Sequence, residues 1–245
     1  MIKSLKLTAA AMVAASTLVA TPAYAEEEAA GPFDISANVS VFSDYRFRGV
    51  SLNEEDVVVQ GGIDLSYALS DSVSLYVGEW NSTLEDDVGY GDSEIDIYGG
   101  FTGSAGKLGW KLGGIAYLYP DAKNVDYYEL NAELNGEVGP LTMAVGTFIA
   151  PSQDNYGSKT GVYLYTSAGY SIPNTPVSLK ATIGYEDNAF FNSKIDWSLG
   201  ASVNYKVFTF GVAYIDTNRN AFYVESNKIR DGADGTVLLN VTAAF

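Results

Sequence analysis

From Phe33 onward no window of the chain carries the 3.6-residue apolar period of a helix, whereas a period of two recurs. Lys194 to Tyr205 is the clearest case: Ile195, Trp197, Leu199, Ala201, Val203 and Tyr205 alternate with Lys194, Asp196, Ser198, Gly200, Ser202 and Asn204. A strand turns successive side chains to opposite faces, so this segment has one wholly apolar face. Apolar alternation also runs from Ile35 to Val41, Val59 to Tyr67, Val73 to Val77, Ile95 to Phe101, Leu108 to Leu112 and Tyr128 to Leu134. It continues from Leu141 to Val145, Val162 to Tyr170, Val177 to Tyr185, Phe208 to Tyr214 and Val237 to Phe245. The pattern predicts an all-β chain of twelve strands.

The connections alternate in length. Ser70 to Ser72, Gly103 to Lys107, Gly136 to Pro140, Ser171 to Pro176 and Lys206-Val207 are short. Gly49 to Asp56, Asn81 to Asp92, Pro120 to Asn124, Ala150 to Ser158, Glu186 to Asn192 and Asp216 to Asp234 are longer and polar. An even strand number with short turns at one end and long loops at the other predicts an up-and-down antiparallel barrel of the outer-membrane type, with both chain ends on the short-turn side. A secreted sandwich would alternate as well. The apolar faces decide between them: they hold no charged residue, and Glu79, which would extend the third, falls at its rim. Against hydrocarbon an Arg or Lys at mid-strand costs about 2–4 kcal/mol, whereas a solvated sheet would carry more Lys and Glu. Aromatics near strand ends (Tyr45, Phe47, Tyr67, Trp80, Tyr117, Tyr119, Tyr170, Tyr185, Tyr205, Tyr214) are expected to form the interfacial girdles. Phe245, closing the last alternating segment, matches the terminal aromatic by which such barrels are recognised for insertion.

Residues 1–25 read as an export signal: Lys3 and Lys6, an uncharged apolar or small run from Leu7 to Ala20, then Ala23-Tyr24-Ala25 for cleavage. Residues 26–34 are expected to be a flexible lead-in and residues 35–245 the barrel, without an internal boundary. Removing residues 1–25 shifts the net charge from −16 to −18. Such a polyanion does not bind nucleic acid. The 245 residues include no His and no Cys. That excludes Ser-His-Asp and Cys-His catalysis, thiolate or imidazole metal ligation and disulfides, so no enzyme activity and no cofactor are expected.

Ser43-Asp44-Tyr45-Arg46-Phe47-Arg48-Gly49, with Gln60-Gly61-Gly62-Ile63-Asp64, Tyr76-Val77-Gly78-Glu79-Trp80-Asn81-Ser82, Glu94-Ile95-Asp96-Ile97-Tyr98-Gly99-Gly100 and Tyr117-Leu118-Tyr119-Pro120, resembles the TorF porin family over nearly all of the chain past residue 25. Relatives often carry a histidine where this chain has Ala68-Leu69. The resemblance implies an outer-membrane barrel, with lipid, lipopolysaccharide and the barrel-assembly machinery as partners.

Alternation assigns the charges that face the lumen: Asp44, Asp64, Glu94, Asp96, Glu129, Glu133 and Asp196 against Arg46, Arg48, Lys111, Lys180 and Lys194. Asp44, Arg46 and Arg48 share one parity on the first strand, where the arginines either meet anions at the pore mouth or pair with carboxylates such as Asp64, Glu94 and Asp96. Confined charges are normally paired, which favours the second role. The acidic loops Asn53 to Asp56 and Glu85 to Asp87 and the Asp231-Gly232-Ala233-Asp234-Gly235 run lack diagnostic ligand spacing, so solvated loops and a tight turn are expected there. Two functions remain: a passive channel for small hydrophilic solutes with a weak cation preference, or a structural or adhesive barrel whose lumen is blocked by side chains.

Overall fold

The computed structural model describes residues 32–85, 89–225 and 228–245. The export signal, the lead-in up to Gly31 and the Asp86-Asp87 part of one acidic loop lie outside the described residues. The strands are β1 Phe33–Phe42, β2 Arg46–Phe47, β3 Val50–Ser51, β4 Val58–Ser70, β5 Val73–Thr83, β6 Ser93–Ala105, β7 Leu108–Leu118 and β8 Tyr127–Val138. There follow β9 Leu141–Ala150, β10 Gly161–Ser171, β11 Val177–Asp187, β12 Lys194–Tyr205, β13 Phe208–Thr217, β14 Phe222–Glu225, β15 Lys228–Asp231 and β16 Thr236–Ala244. Twelve of them close into an antiparallel barrel in which each long strand pairs with its sequence neighbours and β1 pairs with β16. β1 begins at Phe33, two residues ahead of the expected start. The two remaining pairs, β2–β3 and β14–β15, are small hairpins within long loops.

Closure leaves no sheet edge, so every long strand is hydrogen-bonded on both sides. The alternation sorts the faces as expected. Val77, Ile97, Leu112, Leu130, Ile183 and Leu199 point outward and are 47–63% exposed, while Tyr76, Tyr98, Glu129, Tyr163 and Asp196 turn inward and are buried. A single apolar belt therefore surrounds a polar and aromatic interior, the reverse of a water-soluble domain and the arrangement that lipid requires. Glu79, on the outer face, bonds the neighbouring Asn81 at 2.6 Å.

Part of the aromatic girdle needs correction. Tyr67, Tyr185, Tyr205 and Tyr214 do lie on the outside, but Tyr45, Trp80, Tyr117 and Tyr119 are at most 4% exposed, within the barrel. A ring's distance from the strand end says how deep it sits; its parity decides which side it faces. Trp80 on β5 and Tyr117 on β7 have inward parity, and Tyr45 lies beyond the end of β1.

Inward glycines let the tyrosines lie flat against the wall. A Cβ on Gly78 would come within 2.4 Å of the Tyr98 ring, and one on Gly184 within 2.2 Å of the Tyr163 hydroxyl. Each ring covers the bare backbone of an adjoining strand and extends its hydroxyl to a carboxylate, Tyr98 to Asp64 at 2.7 Å and Tyr163 to Asp196 at 3.0 Å.

Candidate functional site: a loop folded into the lumen

β1 ends at Phe42, so Asp44, Arg46 and Arg48 do not lie on the first strand. They belong to residues 43–57, which turn back into the barrel, correcting the expected placement on the first strand. Arg46–Phe47 and Val50–Ser51 form a two-residue hairpin whose tip, Arg48-Gly49, has φ of 50° and 87°. Two successive positive φ values make the tight turn that matches strand twist, usually built from Asn-Gly. An arginine in the left-handed region is uncommon, and here it places the guanidinium at the innermost point of the hairpin.

That guanidinium is 2% exposed and holds two carboxylates from the wall. Nη1 and Nη2 bond Glu129 on β8 at 3.0 and 2.6 Å, and Nη1 also bonds Glu186 on β11 at 2.9 Å. The Glu129 contact is the forked, bidentate geometry that favours arginine over lysine. The cation lies 4.3 Å from the Tyr163 ring centroid, 4.6 Å from Phe47 and 5.3 Å from Phe148. Lys194 on β12 extends the network, 2.8 Å from Glu186 and 3.9 Å from Asp196, and it donates to the Arg48 carbonyl. Tyr117 donates to Glu129 at 3.0 Å.

Arg46 anchors the other side of the hairpin. It pairs with Asp44 and with Glu55 at 2.5 Å, and Nη1 donates to the carbonyls of Gly232 at 2.7 Å and Asp234 at 3.0 Å. Ser51 N–H adds a bond to the Gly232 carbonyl at 2.8 Å. The Asp231-to-Gly235 segment is thus a docking partner of the first long loop. Asp231 itself caps two backbone N–H groups, from Ala221 at 2.9 Å and Ala233 at 3.0 Å. Partial burial raises its pKa, but those bonds and Asn220 outweigh it and hold the carboxyl below its ordinary value.

The lumen therefore has two tiers. Toward the long loops, Asp44, Arg46, Arg48, Glu94, Asp96, Glu129, Lys194 and Asp196 are brought together, all at most 5% exposed. Nearer the short turns, Asp64, Lys111, Glu133 and Lys180 line a more open section; Lys111 sits 4.2 Å from the Tyr76 ring centroid and Glu133 bonds Tyr165 at 2.5 Å. The arginines pair with Asp44, Glu55, Glu129 and Glu186 rather than with Asp64, Glu94 or Asp96. Glu186, read from sequence as a loop residue, lies on β11 with inward parity and is 3% exposed. Continuing the alternation one place past Tyr185 would have found it.

A family model described as bacterial protein of unknown function, Gcw_chp, matches residues 26–245. The chain belongs to this family. No curated protein matches it in sequence. Among solved structures it is similar to the KdgM porin, with a TM-score of 0.53 and 8% identity, covering 86% of this chain and 99% of that one. The NanC porin is similar at a TM-score of 0.52 and 8% identity, with 86% and 99% coverage. Identities this low speak for a shared outer-membrane barrel fold.

Proposed function

We propose that the protein is a porin-like channel of the bacterial outer membrane, of the TorF type, through which small hydrophilic solutes or ions pass without energy input. The observation that carries this reading is a closed twelve-stranded barrel whose inward side chains include partly exposed charged residues in the short-turn half, away from the inserted loop. In the short-turn half Asp64, Lys111 and Lys180 are partly exposed, and residues 43–57 occupy the other half. Long loops face the exterior, and lipid and lipopolysaccharide meet the apolar belt after insertion by the barrel-assembly machinery.

The tiers also set the ion preference. Asp64 and Glu133 balance Lys111 and Lys180, whereas the long-loop tier carries Asp44, Glu94, Asp96, Glu129, Glu186 and Asp196 against Arg46, Arg48 and Lys194. The uncompensated charge is negative and concentrated in the tier that the inserted loop occupies, so cations are favoured, more strongly at low salt. Single-channel recording in planar bilayers tests this: small conductance steps with a cation-selective reversal potential in a salt gradient are expected. A second reading, a structural or adhesive barrel with a permanently closed lumen, is favoured by the near-zero exposure of Arg48 and Lys194. Absence of conductance under every condition would select it.

A further inference from the structure

The long-loop tier contains one pair of carboxylates that its cations do not reach. Glu94 and Asp96 are adjacent inward positions on β6, 1% and 0% exposed, and Arg46, Arg48 and Lys194 are engaged elsewhere. Neither oxygen of Asp96 has a hydrogen-bond partner, nor does Oε2 of Glu94. Across the sheet, Asp96 is flanked by Trp80 on β5 and Tyr117 on β7, both buried, and neither presents a positive charge. The Tyr45 hydroxyl, from the inserted loop, donates to Glu94 Oε1 at 3.1 Å. Two neighbouring buried carboxylates, with the Tyr45 and Tyr119 hydroxyls at Glu94 but no cation paired with either among the described residues, are a charge arrangement left open, and uncompensated buried anions are among the costliest features a fold can hold.

We propose that Glu94 and Asp96 form a binding site for a hard cation, Ca²⁺ above all, seated between β6 and the inserted loop. The donor set is of the right kind: carboxylate oxygens from neighbouring positions and a phenolic oxygen, with no nitrogen or sulfur ligand, suits an oxygen-preferring cation. Its place explains why a pair of like charges can sit beside the loop: a bound cation joins the β6 wall to Tyr45, as Arg48 joins the β8 and β11 walls to the hairpin tip. The site does not require an open pore, so its existence is independent of the channel reading.

The test uses the purified, refolded barrel in detergent, followed by its unfolding temperature with and without Ca²⁺, and by Tb³⁺ luminescence excited through tyrosine. Ca²⁺ at about 100 times its dissociation constant is expected to raise the unfolding temperature by roughly 5–10 °C. Glu94→Gln and Asp96→Asn should each lose that shift and most of the Ca²⁺-displaceable Tb³⁺ signal, while Asp154→Asn, on an exposed loop, keeps both. No Ca²⁺ response in the unaltered protein would overturn the proposal and leave the pair sharing a proton. A response that survives both variants would place the cation on the acidic loops and overturn it equally.

Discussion

Arg48→Met is the most informative substitution in the inserted loop. Methionine keeps much of the apolar stem but removes the charge, leaving Glu129 without its bidentate partner and Glu186 with Lys194 alone. Both carboxylates are at most 3% exposed, so water cannot replace the guanidinium while the loop stays docked. Breaking a buried ion pair by removing one partner costs about 3–5 kcal/mol. The twelve long strands do not depend on Arg48 for their hydrogen bonds, so the cost falls on the docked loop rather than on the barrel. At about 1.4 kcal/mol per factor of ten, the equilibrium between docked and released loop shifts roughly 100- to 4,000-fold toward release. The chain has no cysteine, so Asn53→Cys, at a position 1% exposed within the loop, provides a single reporter. Its labelling by a membrane-impermeant maleimide should accelerate strongly in the Arg48→Met background, and single-channel conductance should rise. The heat-dependent gel shift of the folded barrel should remain. Unchanged labelling together with unchanged conductance would refute the reading that the Arg48 ion pairs hold the loop in the barrel.

Leu199→Arg places a charge on the lipid face, where the side chain is 63% exposed at mid-strand, and should lower assembly by an amount set by about 2–4 kcal/mol; Ser198→Arg faces the lumen and should assemble normally, as yields of heat-modifiable protein will show. Gly184→Ala would drive a methyl group into Tyr163 and pull that ring from Asp196, destabilising the folded barrel by about 1–3 kcal/mol in urea-dependent unfolding. Asp231 has a folded-state pKa below its unfolded value, so its stabilising contribution is fully present above the ordinary Asp range and is lost as pH falls through the lowered value. Proteolysis of residues 218–235 should therefore accelerate below about pH 4, and Asp231→Asn should remove that pH dependence.

How much of this was legible in the sequence follows from how far each interaction reaches along the chain. Which side of the wall a residue faces is a local property with a period of two, so the strand number, the antiparallel order, the lipid belt and the inward parity of Glu94, Asp96, Glu129, Glu133, Lys111, Lys180, Lys194 and Asp196 could be read directly. The same period, misapplied past Phe42, put Asp44, Arg46 and Arg48 on a strand, because a hairpin with the sequence Arg46-Phe47-Arg48-Gly49-Val50-Ser51 keeps the alternation while reversing direction. The glycine after Arg48 was the local sign of the turn. Nothing local says that the hairpin enters the barrel. That outcome depends on Glu129 and Glu186, separated from Arg48 by 81 and 138 residues, and on the carbonyls of Gly232 and Asp234, 186 and 188 residues from Arg46. Only closure of the sheet brings those groups to one height and makes the interior dry enough for pairing to decide the loop's position. The sequence by itself therefore determined the wall, and the tertiary structure decided what stands inside it.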